Sequence, residues 1–238
     1  MDGRHGSEAL LTSRPRAWMS WSSGKDSALA LHEARSRGDV EIVALLTTVN
    51  ETHARVAMHA VRESLLEAQA AAVGLPLVKV SIPSPCSNEV YEERIGEAMA
   101  RARAEGVSEV VFGDLFLEDI RAYREKQLAT VAMRARFPLW GRPTAALARE
   151  MIDVGLEAVL TCVDPRALPA RFAGRRFDRA LLDELPPTVD PCGEKGEFHT
   201  FACAGPMFAA PIAVETGEIV ERDGFVFADV LLKGTKAR

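Results

Sequence analysis

A chain of 238 residues, 47% hydrophobic and 26% charged, has the make-up of a soluble globular protein with room for one large α/β domain and a smaller appendage. Its formal net charge of -5 argues against a long nucleic-acid partner, which a basic field normally grips. No stretch approaches the roughly 18 apolar residues of a membrane span, and Met1–Arg16 is polar without the apolar block of a secretory signal, so the expectation is a disordered N-terminal extension on a cytoplasmic chain.

Ala17–Trp21 reads as a buried strand entering a tight turn at Ser22-Ser23-Gly24. Asp26 or Ser27 then caps a helix that runs through Leu29, Ala30 and His32 to Gly38. Glu41–Val49 is a second strand. Val61, Leu65, Ala68 and Ala72 follow helical spacing, and Gly74 closes that helix. Leu77–Ile82 is a third strand, Glu89–Ala104 a helix, Glu109–Gly113 a fourth strand and Glu118–Arg134 a helix. Strands without alternation, separated by helices, imply a doubly wound parallel sheet covered on both faces, with right-handed crossovers. Ligands bind such sheets at the carboxyl ends of the strands, where Ser22–Ser27, Thr47–His53 and Gly113–Glu118 all fall.

The chain changes character after Phe137-Pro138-Leu139-Trp140. Thr144–Val154 reads as a helix, Leu156–Cys162 as a strand and Asp178–Leu185 as a helix. Pro186, Pro187 and Pro191 force an extended loop. Phe198–Leu232 is strand-like, and turn dipeptides at Thr216-Gly217 and Asp223-Gly224 predict an antiparallel meander. The expected organisation is an extension over 1–16, a nucleotide-binding domain over 17–136 and a substrate-side α+β domain over 137–238.

The four cysteines, Cys86, Cys162, Cys192 and Cys203, match neither CxxC nor a zinc pattern and read as reduced thiols. Cys192, beside an acidic motif, is the candidate for a reactive one. The arginines of Arg171–Arg179 read as a solvated or internally paired face.

Ser22–Ser27 carries the chemistry. A strand end followed by a helix start exposes unpaired backbone N–H groups, and with the helix dipole they make an anion site. Gly24 permits close approach, Ser22, Ser23 and Ser27 add hydroxyls, and Lys25 adds a point charge. Asp26 fits an anion site only as a cap or a metal ligand. A Walker A loop is excluded, because Asp26 follows Lys25 and Met19 occupies the position of the first glycine. Composition alone leaves a serine-rich turn as an open alternative.

Glu194, Glu197 and His199 sit on one glycine-containing loop and could hold a metal, bind an ammonium-like nucleophile or act as a base; a turn with solvated acids is the alternative. Asp114 stands at a strand end, as a ligand for Mg²⁺ or ribose or as a helix cap. Glu118, Arg121 and Glu125 share one helix face, as an active-site stripe or a surface ion-pair ladder.

Ser22–Ser27 resembles the SGGxDS signature of the PP-loop ATP pyrophosphatases, with Ser23 in place of the first glycine. That resemblance implies a HUP-type, Rossmann-like sheet of five parallel strands and cleavage of ATP to AMP and pyrophosphate. From Trp18 to Phe208 the chain further resembles the diphthine–ammonia ligase family and its bacterial relatives. The matching segments are Met58-His59; Gly113, Arg121 and Glu125; Pro138-Leu139-Trp140; and, most specifically, Gly193-Glu194-Lys195-Gly196-Glu197-Phe198-His199-Thr200. The resemblance implies ATP with Mg²⁺ on Ser22, Ser23, Gly24, Lys25, Asp26, Ser27, Thr48, Gly113 and Asp114, with Asp26 on the metal. It implies catalysis by Lys25, Asp26, Glu194, Glu197 and His199, and substrate contacts from His59, Glu118, Arg121 and Glu125. The implied substrates are ammonia and a carboxylate of a small molecule or a protein side chain. A tRNA-modifying PP-loop enzyme and a non-catalytic nucleotide sensor are the alternatives, and a homodimer is left open.

Overall fold

The structure, a computed structural model, describes residues 14–50, 55–56 and 61–234. His53, Met58, His59 and residues 1–13 of the expected extension lie outside the described residues. Arg16, counted with the extension above, already begins the first strand.

In chain order the first part comprises β1 (Arg16–Ser20), α1 (Lys25–Arg37), β2 (Glu41–Asn50), β3 (Arg55–Val56), α2 (Glu63–Val73), β4 (Leu77–Ile82), α3 (Asn88–Ala104), β5 (Val107–Val111), α4 (Glu118–Ala129) and β6 (Arg134–Arg136). Five strands run parallel in the order β4-β2-β1-β5-β6, and β3 adds an antiparallel pair of residues to the end of β2. This is the doubly wound sheet that the uninterrupted apolar runs predict. Alternate residues of β1 feed two layers: Ala17 and Met19 join the core under α1 and α2, and Trp18 joins Met99 and Ala102 of α3 on the other face. The order reverses at β1, whose neighbours β2 and β5 lead away on opposite sides, so the crevice opens at the carboxyl ends of these three strands.

β6 was not expected, since the helix before it was read as running to Arg134. The helix ends at Ala129, and Ala132 takes a left-handed φ of 54°. The cause is long-range. Glu109 in β5 is 1% exposed, and a buried carboxylate needs cations; Arg134, at 2.5 Å, and Arg136 supply them from the paired β6.

The second part comprises α5 (Thr144–Asp153), β7 (Glu157–Val163), a 3-10 turn at Ala170–Phe172, α6 (Arg179–Glu184), β8 (Phe198–Ala204), β9 (Val214–Arg222) and β10 (Phe225–Leu232). Its sheet is antiparallel in the order β8-β7-β10-β9. The tail is therefore not the meander expected, because β7 inserts between β8 and β10. The turn at Asp223-Gly224 forms, with φ of 53° and 78°. Thr216-Gly217 is no turn: both lie inside β9, where Gly217 and Glu218 together oppose Asp229 in a β-bulge. The sheet packs on the α1 and α2 side, and Phe198 and Phe201 share one core with Leu29 and Leu65. The arginine-rich segment is internally paired, as Arg175–Glu184, Arg176–Glu157 and Arg179–Asp153.

Candidate functional site

The turn after β1 takes its shape from tertiary neighbours. Ser23 stands where the resembling signature has glycine, and it takes the left-handed φ of 69° that glycine adopts freely. Its hydroxyl is buried with no hydrogen-bond partner among the described residues. Its carbonyl accepts from Ala202 N at 2.9 Å and from Gln69 Nε2 at 3.0 Å. The N-cap of α1 is Gly24, without a side-chain bond, rather than Asp26 or Ser27. Ser27 Oγ instead donates to the Gly24 carbonyl at 3.0 Å. The N-cap residue supplies no side chain to the first-turn amides, which suits a helix end that receives an anion. Lys25 N donates to Thr200 Oγ1 at 3.1 Å, so β8 braces the turn. Gly113, beyond β5, is required by space: a Cβ there would lie 2.8 Å from the Asp26 carbonyl carbon and from Ser27 N.

Two cavities meet at this turn. The larger, about 440 Å³, lies between the turn, Phe112–Asp114, the start of α4 and the Cys192–Thr200 loop. The smaller, about 270 Å³, lies between the end of β2, α3 and α4. Ser20, Ser22, Phe112 and Arg124 line both. Thr47 lines the smaller one, buried, with a hydroxyl that has no partner among the described residues.

The larger cavity gathers Ser22, Gly24, Lys25, Asp26, Ser27, Gly113, Asp114, Glu194 and His199. Ser23 is buried behind the turn, and Thr48 lines the smaller cavity. Glu197 stands apart. Its carboxylate accepts from Asp190 N at 2.9 Å and Lys195 N at 3.0 Å, so it shapes the loop from inside. Glu118, Arg121 and Glu125 line neither cavity. Glu118 is exposed, and Arg121 pairs with Glu125 at 2.8 Å while lying over the rings of Phe137 and Trp140. The face of α4 turned to the larger cavity is Leu117, Ile120 and Arg124, the same helical spacing begun one residue earlier. Arg124, missed by sequence reasoning, pairs with Asp114 at 2.7 Å and lies over the Phe112 ring. No apolar stripe flags it, since Ile120 on the same face is itself exposed.

Lys25 differs most from expectation. Its ammonium is not projected at open space. It is 2% exposed and held by Asp26 Oδ2 at 2.8 Å, by the Cys192 carbonyl and by the rings of Phe177 and Phe198 at 5.5 and 5.3 Å. Burial disfavours that ammonium, but Asp26, Cys192 and Glu194 outweigh it and hold the pKa above its ordinary value. Burial raises the Asp26 carboxyl above the usual range despite Lys25. The two close N–O contacts make Lys25 and Asp26 a buried ion pair.

Burial pushes Glu194 up to about 7, reinforced by Asp26 and Asp114 and opposed by the Leu115 amide, which donates to its Oε1 at 2.8 Å. Burial, with Lys25, lowers His199 to about 4, so its imidazole is neutral at pH 7. Burial pushes the Cys192 thiol up to about 12 against the pull of Lys25, the opposite of an activated thiolate. Among the described residues no group of three or more metal-ligating side chains forms a cage. Mg²⁺ needs none: one or two carboxylates suffice when phosphate oxygens and water complete the shell. Asp26 and Asp114 both line the cavity, each held there by an ion pair, with Lys25 and with Arg124, so the carboxylates such an ion takes are present.

The Diphthamide synthase N-terminal domain profile matches residues 16–135, and the Diphthamide synthase C-terminal domain profile matches residues 143–230. Diphthine–ammonia ligase of Danio rerio is 29% identical over 238 residues, covering 90% of this chain and 92% of that protein. The Homo sapiens enzyme of the same name is 35% identical over 97 residues, 39% of this chain and 36% of its own length, and the Rattus norvegicus one is 36% identical over the same shares. With both halves matched in order, the chain belongs to the diphthamide synthase family and is a ligase of that family.

Proposed function

We propose that this chain is an ATP-dependent, AMP-forming ligase that activates a carboxylate for attack by ammonia or an amine. The observation that carries the reading is the pair of adjoining cavities. The smaller, with apolar walls and the unpartnered Thr47 hydroxyl, suits a nucleoside. The larger, at the uncapped start of α1, suits a polyphosphate and an acceptor. A ligand spanning the rim formed by Ser20, Ser22, Phe112 and Arg124 would put its α-phosphate where the two meet. The matched relatives are named for ammonia and diphthine, which supports ammonia as the nitrogen source and a carboxyl group as the acceptor.

The chemistry balances in two displacements. A carboxylate oxygen of the acceptor attacks the α-phosphorus, the α–β bridge breaks, and pyrophosphate leaves. The nitrogen then attacks the activated carbonyl carbon, AMP leaves, and one proton is released. Mg²⁺, held by Asp26 and Asp114, would neutralise charge on the departing pyrophosphate. The Gly24 amide, the first-turn amides of α1 beyond Lys25 N, which Thr200 holds, and the Ser22 and Ser27 hydroxyls donate to phosphate oxygens. Lys25 and Asp26 tie the turn to the Cys192–Thr200 loop, which keeps Glu194 and His199 on the opposite wall. Glu194, with its pKa near neutrality, takes the proton from the attacking nitrogen. Neutral His199 accepts a hydrogen bond from that nitrogen. Leu117 and Ile120 give the acceptor side of the cavity an apolar edge. The test is incubation with ATP, ammonium and a panel of carboxylic acids, followed by product analysis. AMP and pyrophosphate in equal amounts, dependent on the acid, are expected; ADP as the only nucleotide product overturns the reading.

A further inference from the structure

Gln69 sits at the centre of the buried face of α2, among Leu65, Leu66, Ala70 and Val73, and is fully buried. A polar side chain there costs free energy unless all its groups are satisfied, and an apolar residue would suit the helix as well. Each polar atom of Gln69 has a partner. Oε1 accepts from Trp21 Nε1 at 2.8 Å, and Nε2 donates to the Ser23 carbonyl at 3.0 Å and to the Ala202 carbonyl at 2.7 Å. The orientation of the amide is unambiguous. An indole N–H only donates, so Oε1 must face it, and both remaining partners only accept. One acceptor and two donors at this reach are the inventory of a primary amide; neither a carboxylate nor a hydrocarbon supplies it.

We infer that Gln69 is a positioning residue for the phosphate turn, setting the direction of the peptide between Ser23 and Gly24. Carbonyl and amide of one trans peptide point opposite ways. Gln69 Nε2 and Ala202 N draw the Ser23 carbonyl back towards β8. The Gly24 N–H is thereby turned the other way, to the side of Ser22 Oγ, which accepts from it at 3.4 Å and lines both cavities. The same clamp holds Ser23 in its left-handed conformation, where a serine needs outside support that a glycine does not. Gln69 itself lines neither cavity; it reaches the turn through the Ser23 carbonyl, and its third bond holds the indole of Trp21, which lines the smaller cavity.

The inference rests on the proposed seating of polyphosphate on Ser22–Ser27, and the test separates the two. ATP and adenosine dissociation constants are measured by calorimetry on the full chain and on Gln69→Met, which keeps length and removes all three bonds. ATP is expected to bind about tenfold more weakly to the variant, the loss of roughly one oriented hydrogen bond to an anion. Adenosine, which lacks the polyphosphate that the Gly24 N–H would meet, is expected to keep its affinity within about twofold. Unchanged ATP affinity overturns the inference, and so does a parallel fall for both ligands, which would make Gln69 a support of the fold alone. If Gln69→Met does not fold, Gln69→Glu replaces it: it keeps the Trp21 acceptor and the volume but sets a carboxyl oxygen against two carbonyls, and the same split is expected. A wild-type chain that binds neither ligand overturns the nucleotide reading itself, an outcome distinct from both.

Discussion

Two glycine-containing loops wall the larger cavity, and they hold their shapes by opposite means. Ser22–Ser27 is shaped from outside, by Gln69, by Ala202 and Thr200 of β8, and by the missing side chain of Gly113. The loop that leads into β8 is shaped largely from inside, with Glu194 as its tie outward to the Leu115 amide. Glu197 binds the Asp190 and Lys195 amides, Asp190 Oδ1 accepts from Cys192 N at 2.8 Å, and Gly193 and Gly196 take left-handed φ of 69° and 87°. A self-shaped loop uses some of its acids as structure. Glu194 and Glu197, alike in the motif, therefore divide into one carboxylate facing the cavity and one held by the loop.

The comparison breaks first at Gly113. Gly113→Ala drives a methyl group into the backbone at Asp26–Ser27 and displaces an externally shaped turn, so kcat/KM for AMP formation is expected to fall about 100-fold. Retained activity would mean that α1 yields without consequence. The two glutamates give the next effect. Glu197→Ala should lower unfolding free energy by about 2–4 kcal/mol, because two loop amides lose a charged acceptor. Glu194→Gln should leave denaturant stability nearly unchanged at pH 7 and slow the aminolysis step about 100-fold. If the two variants behave alike, the division between them is wrong.

The pH dependence of stability sharpens it further. Glu194 titrates from an ordinary 4.5 to about 7 in the folded chain, so its contribution is fullest below about pH 4.5 and is lost as pH rises to 7. His199 moves from 6.5 to about 4, so its contribution is present above pH 6.5 and is lost as pH falls to 4. The two oppose each other, and the wild-type profile should be nearly flat between them. Denaturant titrations should show stability rising with pH in Glu194→Gln and falling with pH in His199→Gln, each by roughly 1–2 kcal/mol after discounting for solvent. The smallest effect concerns the external clamp. Ser23→Gly removes the left-handed strain and the unpartnered hydroxyl and should raise unfolding free energy by about 1 kcal/mol, read as a higher melting temperature.

Much of the fold was legible because burial on both faces writes uninterrupted apolar runs, such as Ile42–Leu46 in β2, that need no partner to be recognised. Three features were not. β6 is short and framed by Arg134 and Arg136, and becomes a strand only because Glu109 is buried beside it. The cavity-lining side of α4 mixes Leu117 and Ile120 with Arg124, so a polar stripe one residue away looked equally good. Gln69 gives no sequence signal, because a lone amide on an apolar helix face resembles any surface glutamine until its partners are seen.

By itself, then, the sequence determined four of the five parallel strand segments, a tight strand-to-helix turn after the first of them, and a second segment that carries acids and an imidazole, although His199 proves to lie in β8 rather than on a loop. Those are consequences of periodicity and of local backbone chemistry. Only the tertiary structure decided that β7 lies inside the second sheet, that Lys25 faces a carbonyl and two rings rather than open space, and that Glu194 rather than Glu197 faces the cavity. Each depends on contacts between residues far apart in the chain, whose burial sets both the direction of a side chain and its charge, and no local pattern encodes which distant group will be there.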